Sequence, residues 1–187
     1  YLLMNAHPEK PKLLGYILSR RIPTLIVMLI AAFSIGSASI IFQSIIHNRI
    51  VTPCLLGMNS MYTLVHTAIV FVAGSGSVIA TDSNLSFGVD LMVMGVTATF
   101  IYSHMFRKTG NNVLYVLLIG TVLSSFFGSI QSTMIRVMDP NEYDALLTTL
   151  VADFSNVNSE VIAFSLVLLT ALAAFLWKDL KLLDVIT

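Results

Sequence analysis

The sequence predicts an all-α membrane protein, a polytopic transmembrane helical bundle of about five helices with a short amphipathic helix outside them. Composition is the first reason: 56% of the 187 residues are hydrophobic and 11% are charged, whereas about a quarter of an average soluble domain is charged. The second is that uncharged stretches recur at lengths near the roughly 17 to 25 residues that one bilayer crossing needs. The third is that turn-forming residues separate those stretches.

The charge and cysteine content exclude several classes of protein. Ten basic residues balance ten acidic ones, so no excess of positive charge predicts a nucleic-acid partner. Cys54 is the only cysteine, which excludes an internal disulfide and a multi-cysteine metal cluster within the chain. We expect Cys54 to be a small apolar packing residue.

The two ends of the chain predict a piece of a longer protein. It starts at Tyr1 with neither an initiator methionine nor the pattern of a signal peptide. It stops after 178–184, where an apolar stretch has just turned amphipathic. Within it we expect a charged leading segment, 1–23, and one transmembrane domain, 24–187.

The first predicted span, 24–46, contains no charged residue, and its Leu, Ile, Val and Phe side chains each favour insertion by about 0.3 to 0.6 kcal/mol.

Asp90 falls near the start of the third span, where we expect it at the membrane interface. Turn signals between the spans stand at Pro53, 74–77 and 110–112. The other four spans are predicted at 54–74, 87–106, 113–136 and 160–178.

The basic residues do not orient the bundle by the positive-inside rule. If the spans alternate, five basic residues lie on each side of the membrane. One side has Arg49, Arg107, Lys108, Lys178 and Lys181, and the other has Lys10, Lys12, Arg20, Arg21 and Arg136.

A short helix is predicted after the fourth span, at about 140–152. Asp139 can cap it, Pro140 suits the first helical position, and Glu142 can complete a capping box. Its apolar residues recur at helical spacing, and they are Tyr143, Leu146, Leu147, Leu150, Val151 and Phe154.

This short helix has two interpretations. Thr148 and Thr149 fall away from its apolar face, so the helix is amphipathic and suited to the membrane surface. It is either a connector packed on its neighbours or an external gate beside a translocation path, formed by Tyr143, Leu147 and Leu150.

Small residues recur every four positions along the fourth span, at Gly120, Ser124, Gly128 and Ser132. One interpretation is tight helix packing, because small residues let helix backbones approach closely in lipid. The other is that the stripe faces a wide polar pathway, with Gln131 nearby. Both interpretations stay open at this point.

Three motifs in the same order resemble the FecCD family of ABC importer permeases. They are Arg21-Ile22-Pro23-Thr24, then the helix that ends in Gln43 and is followed by 48–57 (Asn-Arg-Ile-Val-Thr-Pro-Cys-Leu-Leu-Gly), and 118–125 (Leu-Ile-Gly-Thr-Val-Leu-Ser-Ser). Arg49 departs from the family pattern, which has Pro there. The resemblance runs from about residue 20 to the end, as helices two to six of the family's ten. Residues 152–158 are similar to permeases of catecholate or petrobactin-type siderophore systems.

The resemblance implies a type II ABC importer permease fold in the bacterial plasma membrane, and the function of an iron–siderophore importer subunit that forms the translocation pathway. It implies that 1–23 is external, which settles the orientation. It also implies that Arg21 docks a carboxylate of the substrate-binding protein, although an arginine at a helix end can instead reach the lipid headgroups. The family's fifth helix lines the pathway, which would place Gly120, Ser124, Gly128 and Ser132 beside it.

The partners implied by the resemblance are a second permease chain, identical or paralogous, cytoplasmic ATPase subunits, an extracytoplasmic substrate-binding protein and membrane lipid. The chain contains no phosphate-binding Gly-x-x-x-x-Gly-Lys-Ser/Thr loop, so ATP hydrolysis is expected on a separate subunit. No catalytic residue, metal site or cofactor is predicted.

Two other functions are considered. A haem-binding redox subunit would need histidine ligands, but His66 lies mid-span, His47 and His104 lie at the cytoplasmic ends, and no pair shares a ligand spacing. An ion-coupled carrier would keep ionisable residues near the midplane, and the sequence places only His66 there. Both rank below the permease.

Overall fold

A computed structural model of the chain describes residues 11–74, 76–77, 82–109, 112–150 and 159–175. Across these ranges it contains six α-helices, one 3₁₀ helix and no β-strand. The all-α fold class predicted from the sequence is therefore confirmed.

The helices follow one another with short connections. A 3₁₀ helix, Pro53–Leu56, precedes α2. The α-helices are α1 (Pro11–Ile46), α2 (Met58–Ala73), α3 (Ser83–Thr109), α4 (Val113–Val137), α5 (Pro140–Leu150) and α6 (Ser159–Phe175). Some predictions lie outside the described residues, namely those for 1–10, 151–158 and 176–187 and parts of the predicted turns at 74–77 and 110–112.

The chain divides into two compact units, and each is described by itself. The first comprises Tyr1–Ser37 and Ala152–Val185, so its described helices are the N-terminal part of α1 and α6. The second comprises Ala38–Val151 with Ile186–Thr187, and it contains α2 to α5. The helix–helix contacts described below lie in the second unit.

Among the described residues, three helical segments are long and apolar enough to cross a membrane: Gly15–Ile46, Asn84–Lys108 and Val113–Val137. Met58–Ala73 and Val161–Phe175 are shorter apolar helices. Many large hydrophobic side chains on these helices are exposed, because lipid rather than protein is the favourable surrounding for such surfaces. The described helices are therefore those of a multi-pass membrane domain.

The core of the second unit lies between α2, α3 and α4. Buried side chains fill it, and they are Ile46, Val51, Leu56, Met61, Val65, Tyr102, Met105, Val116 and Phe127. The Tyr102 hydroxyl donates to the Leu56 carbonyl at 2.8 Å, which ties α3 to the 3₁₀ helix. A second apolar cluster, formed by Val70, Met138 and Leu146, holds α5 against α2.

Local backbone geometry fixes the start of α2. Gly57 ends the 3₁₀ helix with a φ of 83°, a left-handed conformation that glycine adopts without a steric penalty. A Cβ at Gly57 would lie 3.1 Å from the Ser124 Cα, so glycine also permits α4 to approach closely. Cys54, in the same turn, is exposed, and the packing role expected from the sequence is wrong.

The start of α5 has the cap that the sequence predicts. The Asp139 Oδ1 accepts a hydrogen bond from the Asn141 N–H at 2.9 Å. Pro140 is the first residue of the helix, where its missing N–H costs nothing. The local sequence thus determines where the chain leaves α4 and enters α5.

Candidate functional site

The first two small residues of the α4 stripe lie in a helix contact. Gly120 is buried, and a Cβ there would lie 2.9 Å from the Leu56 Cα and 3.0 Å from the Leu55 carbonyl oxygen. Ser124 Oγ lies 2.8 Å from Ser60 Oγ on α2. Close packing is what small residues at such positions allow, so these two positions match the packing interpretation.

The other two small residues have more open surroundings. A Cβ at Gly128 would meet nothing within 4 Å, and Ser132 is exposed. Between them Gln131 contacts α2: its Oε1 lies 3.0 Å from Thr63 Oγ1, and its amide donates to Thr67 Oγ1 at 3.3 Å. The stripe is therefore two different surfaces, packed at one end and open at the other.

The three residues predicted to form an external gate belong to α5. Tyr143 and Leu150 are partly buried against the cluster of Val70, Met138 and Leu146. Leu147 is 40% exposed. The helix is thus packed on its neighbours through one face, and Leu147 points away from that face.

Arg21 lies in α1, within the first unit, and is partly exposed. The neighbouring Arg20 has its guanidinium 5.6 Å from the centre of the Tyr16 ring, a distance at which a cation and an aromatic face attract each other. Pro23 follows inside the same helix. Arg20 is the more exposed of the two adjacent arginines.

A polar group with two buried ionisable members, His66 and Asp90, joins three helices in the second unit. His66 of α2 is 4% exposed and Asp90 of α3 is 8% exposed. The His66 Nδ1 lies 2.7 Å from the Asp90 Oδ2, and the His66 Nε2 lies 2.8 Å from the Thr149 Oγ1 of α5. The Tyr62 ring stacks on the imidazole, with centroids 6.0 Å apart.

This group bears on two expectations from the sequence. Asp90, which was expected near the start of its span, lies about two turns inside α3, which begins at Ser83, and it is buried against His66. Thr149 was expected to fall away from the packed face of α5, yet it contacts His66. His66 is thus accompanied by a second ionisable residue, Asp90, whose contact with it the sequence did not predict.

A crevice of about 350 Å³ borders the same group. Tyr62 and Asp90 contribute to its wall, and the remaining lining is apolar, from Phe87, Leu91, Met94, Gly95 and Ala98. The second carboxylate oxygen of Asp90, Oδ1, is buried and has no hydrogen-bond partner within the described part of the chain. The contact with His66 is therefore the interaction that compensates this carboxylate.

The pairing of His66 with Asp90 was not predictable from spacing. The two residues lie on different helices, α2 and α3, which a loop connects. Hydrophobic periodicity predicts only which face of a single helix is apolar. A usable signal did exist, because ionisable residues inside a span normally face a partner rather than lipid. His66 and Asp90 are ionisable residues in adjacent predicted spans, as His104 also is.

These helices define the class of protein: a polytopic α-helical domain that is integral to a membrane. A family model described as the FecCD transport family matches residues 3–186. The chain therefore belongs to the FecCD transport family, and the resemblance carried by the three motifs is confirmed. It is a multi-pass protein of the bacterial plasma membrane.

Curated relatives cover most of the chain. It is 31% identical over 172 residues to the petrobactin import system permease protein YclO of Bacillus subtilis, which covers 92% of this chain and 55% of that protein. It is 26% identical over 171 residues to the petrobactin import system permease protein FatC of Bacillus anthracis, covering 91% and 48% respectively. A probable iron chelatin transport system permease protein of Helicobacter pylori is 31% identical over 140 residues, covering 74% and 40%.

The chain spans about half the length of the first two relatives. No solved structure gives a significant match.

Proposed function

We propose that this chain is part of the membrane-spanning permease subunit of an ATP-driven iron–siderophore importer, and that it contributes to the translocation pathway. The observation that carries the proposal is the family match, which extends over residues 3–186. The apolar helices support it, because a pathway through a bilayer requires helices that satisfy their own backbone hydrogen bonds.

The proposed substrate is an iron–siderophore complex of the catecholate or petrobactin type. Two relatives are named as petrobactin import permeases, and a third is named as a probable permease for an iron chelatin. A cargo of this size needs a wide path with few bulky side chains. Gly128 and Ser132 are the stripe positions that retain open space, so we assign the pathway to this end of α4, and we assign packing to Gly120 and Ser124.

The proposed partners are a second permease chain, identical or paralogous, cytoplasmic ATPase subunits and an extracytoplasmic substrate-binding protein. ATP hydrolysis would take place on the ATPase subunits, which makes this chain a transporter component rather than an enzyme. We propose the orientation that the family resemblance implies, with the N-terminal segment and α5 outside. We propose that α5, through Tyr143, Leu147 and Leu150, gates the external end of the path.

The function is tested by iron uptake in cells that lack the gene encoding this chain. Uptake of radiolabelled iron–siderophore is expected to be lost in the deletion strain and restored by the intact gene. A panel of catecholate, petrobactin-type and hydroxamate complexes identifies the substrate class. Normal uptake of every complex in the deletion strain would contradict the proposal.

The docking role of Arg21 is tested in the same strain. The charge reversal Arg21→Glu is expected to raise the concentration of loaded binding protein needed for half-maximal uptake, because it replaces attraction to a carboxylate by repulsion. The matched variant Arg21→Lys keeps the charge and is expected to retain most uptake. If Arg21→Glu transports like the unmodified protein, Arg21 only anchors the helix in the headgroup region.

A further inference from the structure

His66 makes directed contacts with two other helices at once. Its Nδ1 lies 2.7 Å from the Asp90 carboxylate of α3, and its Nε2 lies 2.8 Å from the Thr149 hydroxyl of α5. Both distances are those of good hydrogen bonds. The ring also stacks on Tyr62, one turn earlier in α2. The imidazole plane is thus fixed by groups on three helices.

The hydroxyl of Thr149 can serve either form of this ring. It lies 2.9 Å from the Leu146 carbonyl oxygen as well as 2.8 Å from the His66 Nε2, and a hydroxyl both donates and accepts. When the Nε2 carries no proton, the hydroxyl donates to it. When the Nε2 carries a proton, the hydroxyl accepts that N–H and donates to the Leu146 carbonyl. The contact between α2 and α5 therefore exists in both cases.

Asp90 makes this contact costly to rearrange. Its Oδ1 has no hydrogen-bond partner within the described residues, so rotating the imidazole away from Oδ2 would leave a buried carboxylate without compensation. Breaking a buried pair in this way is strongly unfavourable. The pair therefore fixes where the Nε2 points and, through it, where Thr149 has to lie.

The other contacts of α5 in this region are less directional. Leu146 packs on Val70 and Met138, and apolar packing tolerates sliding and repacking better than a hydrogen bond does. Ionisable residues are expensive inside a membrane and mark functional positions there. A side chain that only filled space between α2 and α5 would not need to be histidine.

We propose that His66 is a positioning residue for α5: held in orientation by Asp90 and Tyr62, it fixes the helix through Thr149. This inference rests on the proposed function for the role of α5 as a gate. The hydrogen bonds themselves do not depend on that function. In the working transporter, the contact with Thr149 forms when α5 is in the position seen here and breaks when the gate moves.

The test compares two adjacent threonines. Thr148 is exposed, and its hydroxyl donates to the Ala145 carbonyl at 2.7 Å, just as Thr149 can donate to Leu146. Thr148→Val therefore removes the same local bond as Thr149→Val, but not the contact with His66. Thr149→Ser keeps the hydroxyl and is the conservative rescue.

The position of α5 is measured by electron spin resonance distances in the full-length protein in lipid nanodiscs. Labels are placed through Val72→Cys on α2 and Asp144→Cys on α5, both exposed positions, with Cys54 and any cysteines elsewhere in the protein changed to serine. Thr149→Val is expected to raise the ratio of molecules with α5 displaced to molecules with α5 in the position seen here roughly two- to tenfold, the range for one lost hydrogen bond. Thr148→Val and Thr149→Ser are expected to match the parent. Equal distance distributions for Thr149→Val and the parent, or equal changes in both valine variants, would overturn the proposal.

Uptake kinetics separate this inference from the proposed function. Thr149→Val is expected to lower the maximal uptake rate by a similar two- to tenfold factor, with an unchanged half-saturating concentration of loaded binding protein, because docking takes place elsewhere. Asp90→Asn, which keeps an acceptor but removes the charge, is expected to displace α5 in the distance measurement. If the unmodified protein shows no uptake, the proposed function fails while the distances still decide the positioning role. If the unmodified protein shows normal uptake, and Thr149→Val lowers neither the maximal uptake rate nor the population with α5 in the position seen here, the positioning role alone fails.

Discussion

Gly120 and Gly128 stand two helical turns apart on α4, and their surroundings differ. Gly120 lies against the backbone of the 3₁₀ helix, whereas nothing lies within 4 Å of a Cβ at Gly128. The identity of a residue does not distinguish these cases, because the partner of Gly120 comes from a segment more than sixty positions earlier in the chain. The spacing of small residues within one helix predicts that they share a face. Contacts with other helices determine whether that face is packed or open.

The two glycines form a matched pair for mutation. Gly120→Ala places a methyl group against the backbone around Leu56, which cannot move aside as a flexible side chain would, and we expect a loss of about 1 to 3 kcal/mol in stability. Gly128→Ala meets no atom and improves helix propensity, so we expect no loss and a gain of up to about 1 kcal/mol. Denaturation of the purified full-length protein in detergent measures both. Equal effects would mean that α4 does not approach the 3₁₀ helix as closely as described.

The polar residues show the same limit of sequence reasoning. The sequence identified His66 as mid-span and the small residues of α4 as a stripe. It did not predict the bonds of His66 to Asp90 and Thr149, or that of Ser124 to Ser60, because each joins residues from different helices. The position of Asp90 near the start of a predicted span gave no indication of this contact, because α3 begins earlier, at Ser83, and buries Asp90 against His66.

At the scale of the helices, the cap of α5 was predicted from local chemistry. Asp139 and Pro140 act where the sequence indicates, because capping involves neighbouring residues only. The structure differs at α1, which starts at Pro11 and continues through Pro23, whereas the predicted span begins after that proline. Proline normally interrupts a helix by removing a hydrogen bond, and membrane helices tolerate it more readily than soluble ones.

The contact between α2 and α4 includes a row of hydrogen-bonded polar side chains, the polar ladder, formed by Ser60, Thr63, Thr67, Ser124 and Gln131. Ser60 meets Ser124, and Gln131 bridges Thr63 and Thr67. Replacing Gln131 by methionine keeps the shape and removes both bonds, so we expect helix association to weaken by about 0.6 to 1.7 kcal/mol. Thr133→Val is the matched control, since Thr133 is exposed and its hydroxyl donates within α4, to the Ser129 carbonyl at 2.9 Å.

The measurement is again the denaturation of the full-length protein. A loss in Gln131→Met that exceeds the loss in Thr133→Val supports the ladder as a source of helix association. Equal changes would show that the α2–α4 contact depends on apolar packing and that Gln131 is free to serve another role, such as contact with cargo along the open end of the stripe.

At the scale of the whole molecule, charge leaves the orientation undecided, because five basic residues would lie on each side of the membrane if the spans alternate. The orientation we propose has the N-terminal segment outside, as the family resemblance implies. In that orientation α1 would run inward and α2 outward, the turn that holds Cys54 would face the cytoplasm, and α5 would face the exterior.

Cysteine labelling tests that orientation directly, because Cys54 is the only cysteine of the chain and is exposed, once any cysteines elsewhere in the full-length protein are changed to serine. A membrane-impermeant maleimide applied to cells stripped of any outer barrier is expected to leave Cys54 unlabelled until the plasma membrane is permeabilised. In a Cys54→Ser background, Asp144→Cys on α5 is expected to react without permeabilisation, since Asp144 is exposed on the proposed external side. Reaction of Cys54 from outside, with Asp144→Cys protected, would invert the topology. It would also place α5 on the cytoplasmic side, where it could not gate the entry of a siderophore delivered by an extracytoplasmic protein.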